Sequence, residues 1–114
     1  MVYRVAEWHN RRSPDIPPDV FTKAPSAELR PNQKDSDSLP PYEVLDAILE
    51  AFIEEDLSVG EIEARGFDRA TVGRVLDLVK RNEYKRRQAP PGVRVSRRAF
   101  GRDWRYPITN GYRR

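Results

Sequence analysis

The sequence of 114 residues contains no cysteine and only one histidine, His9. The lack of cysteine excludes disulfides, iron–sulfur clusters, thiolate zinc sites and cysteine nucleophiles. A single histidine also excludes a histidine-rich metal site. No apolar run approaches the roughly 18 residues of a membrane helix, and residues 1–12 lack the apolar segment of a signal peptide. We therefore expect a soluble, cytoplasmic polypeptide without a membrane partner.

Apolar residues are scarce as well. Hydrophobic residues make up 38% of the chain and charged residues 34%, whereas globular domains usually have an apolar share of about 45–50%. A large self-contained core is therefore not expected, and the length suits one domain or a part of one. The sequence also lacks a glycine-rich phosphate loop, a Ser-His-Asp set and any internal repeat.

Acidic and basic residues are divided unevenly along the chain. Residues 1–79 hold 9 Lys or Arg against 16 Asp or Glu, whereas residues 80–114 hold 12 against only Glu83 and Asp103. This asymmetry indicates either an anionic partner for the basic end or an acidic half that folds back on it. Nucleic acid, nucleotide phosphates and the surface of another protein all remain open as partners.

The first 41 residues predict one helix followed by a long loop. Apolar residues at helical spacing predict a helix from Val2 to Asn10, and since no capping residue precedes it, we expect it to continue an upstream structure. Residues 13–41 hold most of the ten prolines, which argues against helix in this segment. Phe21, Leu29 and Leu39 are spaced apolar anchors, which favours an ordered lid over a disordered linker, although composition alone leaves the linker open.

Residues 42–82 predict three helices joined by tight turns. The predicted helices run from Pro41 to Asp56, from Val59 to Arg65, and from Arg69 to Asn82 with an extension into the basic residues 84–87. Ser58 and Glu61 fit a capping box, Gly66 is a typical helix stop, and Asp68 can cap the last helix. The periodic pattern ends after Ala89, so the rest of the chain is predicted to be an extended arm.

The order of short helix, Gly66 turn and second helix also fits a helix-turn-helix reader of DNA. The acidic first half would repel a phosphate backbone. In addition, Val72, Val75 and Asp77 offer no Asn, Gln or paired Arg suited to base edges. A small nucleic-acid-binding or protein-interaction module therefore stands as the alternative function, and nucleic acid is the less favoured partner.

Two long motifs carry a resemblance to a known family. The first is Lys-Ala-Pro-Ser-Ala-Glu-Leu-Arg-Pro at residues 23–31, which leads into Asp-Ser-Leu-Pro-Pro-Tyr at 37–42. The second is Asn-Glu-Tyr-Lys-Arg-Arg-Gln at 82–88, followed by Pro-Pro-Gly at 90–92, Phe-Gly-Arg-Asp at 100–103 and Pro-Ile-Thr-Asn at 107–110. Together they resemble the C-terminal part of bacterial NAD synthetases, in particular the glutamine-dependent, glutamine-hydrolysing form. The resemblance covers nearly the whole chain.

The resemblance implies a fold. The chain would be mainly α, and would form the C-terminal helical portion of an α/β synthetase domain of the Rossmann-like, adenine-nucleotide alpha-hydrolase type. It would consist of a lid-like loop at 13–41, a helical segment at 42–82 and a basic arm at 83–114. Closure of the lid would exclude water, which competes with ammonia for the acyl-adenylate.

The resemblance also implies an enzyme, a carbon–nitrogen ligase. The family's enzymes adenylate the nicotinate carboxylate of deamido-NAD with ATP and Mg²⁺, and ammonia then displaces AMP to give NAD. The family's pyrophosphate loop, Ser-Gly-Gly-x-Asp-Ser, and the Glu, Lys and Cys of its glutaminase are absent here. We therefore expect a fragment without catalytic residues, metal or bound cofactor of its own, inactive alone. Its partners would be the rest of the synthetase domain and a glutaminase domain.

Six residues receive roles from the resemblance. It assigns Lys85 and Tyr84 to deamido-NAD, Ser26 and Lys23 to ATP, and Asp103 and Arg105 to the ammonia path or to support of the site. Each has a simpler interpretation. Lys85 and Lys23 could be surface lysines, Tyr84 a packed tyrosine, Ser26 a serine that stabilises a turn, and Asp103 and Arg105 an ordinary ion pair. Because the apolar faces of residues 42–56 and 69–82 would be exposed in an isolated fragment, we also expect a homo-oligomer.

Overall fold

The structure, a computed structural model, describes residues 1–99 and 101–112. Phe100, which belongs to the second motif, lies outside the described residues. The α-helices are α1 (Val2–Asn10), α2 (Asp19–Thr22), α3 (Tyr42–Leu49), α4 (Val59–Ala64), α5 (Arg69–Arg81) and α6 (Glu83–Arg86). A 3₁₀ turn spans Asp35–Asp37, and a π-helical turn at Glu50–Glu54 continues α3. The described residues contain no strand, so the prediction of a mainly helical chain is confirmed.

The chain divides into two compact units, Met1–Leu39 and Pro40–Arg114. In the first unit, α1 has the predicted bounds. The side chain of its last residue, Asn10, is hydrogen-bonded to the turn that follows. The Asn10 side chain accepts from the amide of Ile16 at 2.9 Å and donates to the carbonyl of the same residue at 3.0 Å. The turn is also closed by Asp15, whose carboxylate pKa is lowered by hydrogen bonds from Ser13 and His9.

The long loop contains a one-turn helix, α2, that the sequence did not predict. Pro17 and Pro18 stand directly before it, and their carbonyls accept from the amides of Val20 and Phe21. Proline is tolerated in the first turn of a helix because its missing N–H would be unpaired there anyway. The prolines that argued against helix in this loop therefore start a short one.

The first helix predicted in the second unit is present, but it changes type halfway. In the π-helical turn the amide of Glu55 donates to the carbonyl of Glu50, five residues earlier, at 3.2 Å. This wider turn departs from the 3.6-residue period on which the apolar stripe was predicted. Ala51 and Ile53 are its buried residues.

α4 and α5 begin at the predicted caps. The Ser58 hydroxyl and amide donate to the Glu61 carboxylate at 2.6 and 2.8 Å, and these hydrogen bonds lower the pKa of Glu61. The Asp68 carboxylate accepts from the amide of Thr71 at 2.8 Å. α5 stops at Arg81 instead of extending through residues 84–87, since the Asn82 side chain donates to a carbonyl of its last turn. The basic residues that follow form the separate helix α6.

The core of the second unit joins α3, the π-helical turn, α4 and α5. Its buried residues are Ile48, Ala51, Ile62, Val72, Val75 and Leu76. The expectation that the apolar faces of residues 42–56 and 69–82 would be exposed is wrong, because these faces pack against each other. A homo-oligomer is therefore not needed to cover them.

Gly66 is expected to be sensitive to replacement by alanine, in contrast to Gly73. Gly66 ends α4 with a φ of +96°, where a Cβ costs about 1–2 kcal/mol. Gly73 lies within α5 and a Cβ there meets no atom within 4 Å, so Gly73→Ala is expected to stabilise the protein by about 0.5–1 kcal/mol. Urea denaturation of both variants measures these changes, and a Gly66→Ala variant as stable as Gly73→Ala would contradict the assigned strain.

Candidate functional site

A buried carboxylate lies where α6 meets residues 88–112, which are called the arm below. The Glu83 side chain is 1% exposed, and it faces three guanidinium groups. The distances to its carboxylate oxygens are 2.7 Å from Arg86 Nη1, 3.7 Å from Arg87 Nε and 3.5 Å from Arg105 Nη1. Burial lowers the pKa of Arg86, and the Glu83 carboxylate opposes that shift. A buried charge is tolerated only when it is paired in this way.

The same arginines bind the backbone of the arm. Arg86 donates to the carbonyl of Trp104, and Arg87 donates to that of Tyr106 at 3.3 Å. The Trp104 ring packs edge-on against Phe52, with ring centroids 5.2 Å apart, and against Tyr106, at 4.6 Å. The arm, which has no helix or strand of its own among the described residues, is therefore held on α6 and on the π-helical turn by side chains.

A second attachment lies at Arg98. Its guanidinium donates to the carbonyl of Ile53 at 3.0 Å and forms an ion pair with Asp56. A hydrogen bond from Arg98 lowers the pKa of the Asp56 carboxylate. Part of the acidic segment of the chain thus contacts the basic arm, as one of the two explanations of the charge asymmetry requires.

Tyr84 and Lys85 are exposed on α6, beside the buried Glu83. Tyr84 is 48% exposed, so it is not part of the core. The ammonium of Lys85 lies 5.9 Å from the centroid of the Tyr84 ring. The two residues present a cation and an aromatic face to solvent at one position, which suits an anionic ligand with planar rings.

Asp103 and Arg105 do not pair with each other through any contact that the structure gives. Asp103 accepts from the amide of Ala99 at 2.9 Å and lies 3.7 Å from Arg94, whereas Arg105 faces Glu83. Beside them is an open cavity of about 580 Å³. Its charged lining consists of Arg86, Arg94, Arg102 and Arg105. The cavity is therefore strongly basic.

Lys23 and Ser26 belong to the first unit, where Glu28 brings them together. Lys23 Nζ lies 2.9 Å from Glu28 Oε1, and the hydrogen bond raises the pKa of the lysine and lowers that of the glutamate. Ser26 Oγ accepts from the Glu28 amide at 3.0 Å, in a turn where Glu28 has a φ of +52°. Both residues line an open cavity of about 700 Å³ within this loop.

The importance of Glu83 and Arg98 was missed from the sequence. The signal for Glu83 was present, because it is one of only two acidic residues among the last 35. Arg86 and Arg87, three and four residues further on, could also have been recognised as its helical partners. Arg98 gives no such signal, since its partners lie more than 40 residues earlier in the chain.

The surface of α5 does not suit the helix-turn-helix alternative. Val72 and Val75 are buried in the core. Arg69 donates to Glu63 at 2.8 Å, and the Thr71 hydroxyl donates to Asp68 at 2.9 Å. The side chains at the start of this helix are thus engaged within the helix pair.

Residues 1–89 match the model of the family described as NAD synthase. The chain belongs to this family. It is 55% identical over 111 residues to the glutamine-dependent NAD(+) synthetase of Aquifex aeolicus, a match that covers 97% of this chain and 20% of the relative. The corresponding enzyme of Acinetobacter baylyi is 57% identical over 115 residues, with 99% of this chain and 21% of the relative covered. The predicted resemblance is thereby confirmed.

A solved structure agrees with these matches. The glutamine-dependent NAD+ synthetase from Acinetobacter baumannii in complex with adenosine diphosphate is 48% identical, with a TM-score of 0.60. The match covers 96% of this chain and 19% of that one. The chain thus spans about one fifth of the length of its relatives. None of the helices in the described part is long and apolar enough to cross a membrane.

Proposed function

We propose that this chain is the C-terminal portion of the synthetase domain of a glutamine-dependent NAD synthetase, which converts deamido-NAD to NAD through an adenylated intermediate. The observation that carries the proposal is 55% identity to such an enzyme over 97% of the chain. Since the relatives are about five times longer, the Rossmann-like sheet, the pyrophosphate loop and the glutaminase would come from the rest of the protein. This chain alone would be inactive.

Tyr84 and Lys85 would bind deamido-NAD. The Lys85 ammonium is a mobile point charge that can meet a carboxylate or a phosphate, and the neighbouring tyrosine offers a planar surface to a base or pyridine ring. Asp103 and Arg105 lie in the docked arm beside the arginine-lined cavity. They would support this site from the other side or line the route of ammonia.

Ser26 and Lys23 would bind ATP. Ser26 Oγ accepts a hydrogen bond from the Glu28 amide, so its own proton is available for a phosphate oxygen. Lys23 is paired with Glu28 on the surface, where both side chains are largely exposed. Such pairs contribute only about 0–1 kcal/mol, so the lysine could exchange its partner for a phosphate at little cost. The ADP held by the solved relative supports nucleotide binding by the intact enzyme.

Magnesium would be held by parts of the enzyme outside this chain, as the family resemblance implies. The part of the chain that the structure describes has no group of three or more His, Cys, Asp or Glu side chains able to hold a metal ion. The acidic residues of the loop instead serve its own turns: Asp37 accepts from the amide of Lys34 at 2.9 Å. The chain's own contribution would be to bind substrate and to exclude water.

α1 would connect this chain to the rest of the synthetase domain. Its large apolar residues are Val2, Tyr3, Val5 and Trp8, and each of them is at least 48% exposed. An exposed apolar helix face of this kind is typical of an interface with another part of a protein. Whether the intact enzyme is a homo-oligomer stays a prediction.

The lid hypothesis is tested in the intact synthetase by the double variant Ser26→Ala/Lys23→Ala. Loss of hydrogen bonds to charged phosphate, worth about 1.5–3 kcal/mol each, is expected to lower kcat/KM for ATP at least about tenfold. It should also reduce the NAD formed per ATP consumed, because water would reach the intermediate more often. Ser36→Ala, which removes an exposed serine of the same loop, is the matched control. If neither turnover nor the NAD-to-ATP ratio changed, the lid role would be wrong.

A further inference from the structure

Glu83 belongs to the second unit but is not among the residues proposed to contact substrate. It is the one charged residue that is fully buried among the described residues. Other carboxylates of this unit, such as Glu63 and Asp77, remain at least partly accessible. Burying a carboxylate is unfavourable unless several donors meet it, so its place in the structure calls for a specific role.

The donors that meet Glu83 come from two separate chain segments. Arg86 is the last residue of α6 and Arg87 directly follows it, whereas Arg105 belongs to the arm. Two of these guanidinium groups also bind carbonyls of the arm, at Trp104 and Tyr106. The carboxylate therefore gathers the groups that dock the arm on α6.

Without the Glu83 carboxylate, the guanidinium groups of this cluster would repel one another. Arg105 lies close enough to Arg86 for its charge to lower the pKa of Arg86, and Glu83 acts in the opposite direction. A neutral group in place of Glu83 would leave guanidinium groups facing one another in a poorly solvated place. Movement of the arm away from α6 would then reduce this repulsion.

The proposed substrate residues depend on this same cluster. α6 is a single turn of four residues, and a helix of that length has little stability of its own. Its orientation, and so that of Tyr84 and Lys85, must come from tertiary contacts, and two of these join buried side chains of α6 to the arm: Glu83 to Arg105, and Arg86 to the carbonyl of Trp104. The arm that this cluster docks on α6 carries Asp103 and Arg105.

We infer that Glu83 is a positioning residue: by pairing with arginines of α6 and of the arm, it fixes Tyr84 and Lys85 relative to Asp103 and Arg105. The docking of the arm follows from the contacts alone, whereas the effect on substrate rests on the proposed function. Glu83 itself is too deeply buried to contact substrate.

The docking is tested by the fluorescence of Trp104. The chain has two tryptophans, so Trp8→Phe leaves Trp104 as the only one. In this background Glu83→Gln keeps the size of the side chain but removes its charge, and it is expected to increase quenching of Trp104 by acrylamide. Glu83→Asp, which keeps the carboxylate, should restore part of the protection. Glu63→Gln, which removes a carboxylate paired with Arg69 away from the arm, is the matched control and should leave quenching unchanged.

The effect on substrate is tested in the intact synthetase. A displacement of about 1 Å in positioning groups can cost about 100-fold in catalysis, and Glu83→Gln is expected to raise KM for deamido-NAD by about tenfold or more. KM for ATP should change much less, and Glu83→Asp should restore part of the deamido-NAD affinity. A general loss of folding would instead lower the amount of active enzyme with both KM values unchanged.

The outcomes separate the two parts of the inference. If Trp104 quenching is the same in Glu83→Gln as in the control, the inference is wrong whatever the enzyme does. If quenching increases but the KM for deamido-NAD stays constant, Glu83 docks the arm without positioning substrate groups, and the inference is again overturned. Should Glu83→Gln fail to fold, Glu83→Asp is expected to show both changes relative to the unsubstituted protein to a smaller extent, and the absence of either change would overturn the inference. Failure of the proposed function would appear separately, as a Lys85→Ala variant that binds deamido-NAD normally.

Discussion

Lys85→Ala in the intact synthetase is expected to weaken deamido-NAD binding by about 10- to 100-fold, because a hydrogen bond to a charged group contributes about 1.5–3 kcal/mol. ATP binding should be nearly unchanged, since the ATP contacts are assigned to the loop of the first unit. Lys85 is exposed, and among the described residues no ion pair engages it, so its removal leaves no buried group unpaired. Calorimetric titration with each ligand measures the two affinities.

Two further variants make this result specific. Lys85→Arg keeps the charge but changes the geometry of the donors, and it should retain part of the affinity. Arg81→Ala removes an exposed cation from the end of α5, four residues before Lys85, and should have little effect. Equal losses of deamido-NAD and ATP binding in Lys85→Ala would contradict the role given to this lysine.

Ile48→Ala is expected to lower the free energy of unfolding by about 2–5 kcal/mol. Ile48 is 0% exposed and belongs to the core cluster that joins α3 to α4 and α5. The cost is large because truncation removes buried apolar surface and leaves a cavity that the neighbouring side chains only partly fill. In a domain this small, such a loss is a large fraction of the total stability.

The matched control for this change is Ile108→Ala, at an isoleucine of the arm that is 54% exposed. A substitution at such a position usually changes stability by less than about 0.5 kcal/mol. Urea denaturation followed by circular dichroism compares the two variants. A similar loss of stability in both would mean that the core described around Ile48 does not hold this unit together.

The sequence predicted those parts of the fold that depend on nearby residues. Ser58 and Asp68 cap α4 and α5 through hydrogen bonds to residues three positions further on, and such caps are visible in the sequence itself. The π-helical turn at Glu50–Glu54 was not predicted, because its widened period is not encoded by any local pattern. The stop of α5 before residues 84–87 was missed because Asn82 looked like one more residue of a continuous basic helix.

The candidate site was predictable to a similar extent. Motif similarity brought Lys23 and Ser26 together as one pair and Tyr84 and Lys85 as another, and within each pair the residues are close in the chain. The simpler interpretation of Asp103 and Arg105 was an ordinary ion pair, yet Arg105 faces Glu83, twenty-two residues away. Contacts of this range depend on how the arm folds back, which neither spacing nor composition determines.

The bond from Arg98 to the carbonyl of Ile53 has a consequence for the helix that it reaches. The last carbonyls of any helix lack partners within that helix, and Ile53 belongs to the last turn of the segment that begins with α3. Its partner is supplied from 45 residues downstream, in addition to a local cap in which Asp56 has a φ of +59° and the Leu57 amide donates to the Ala51 carbonyl. The end of this helix and the arm should therefore unfold together as one cooperative unit. A C-terminal truncation that removes Arg98 should first destabilise the helix end at Ile53, in the middle of the chain.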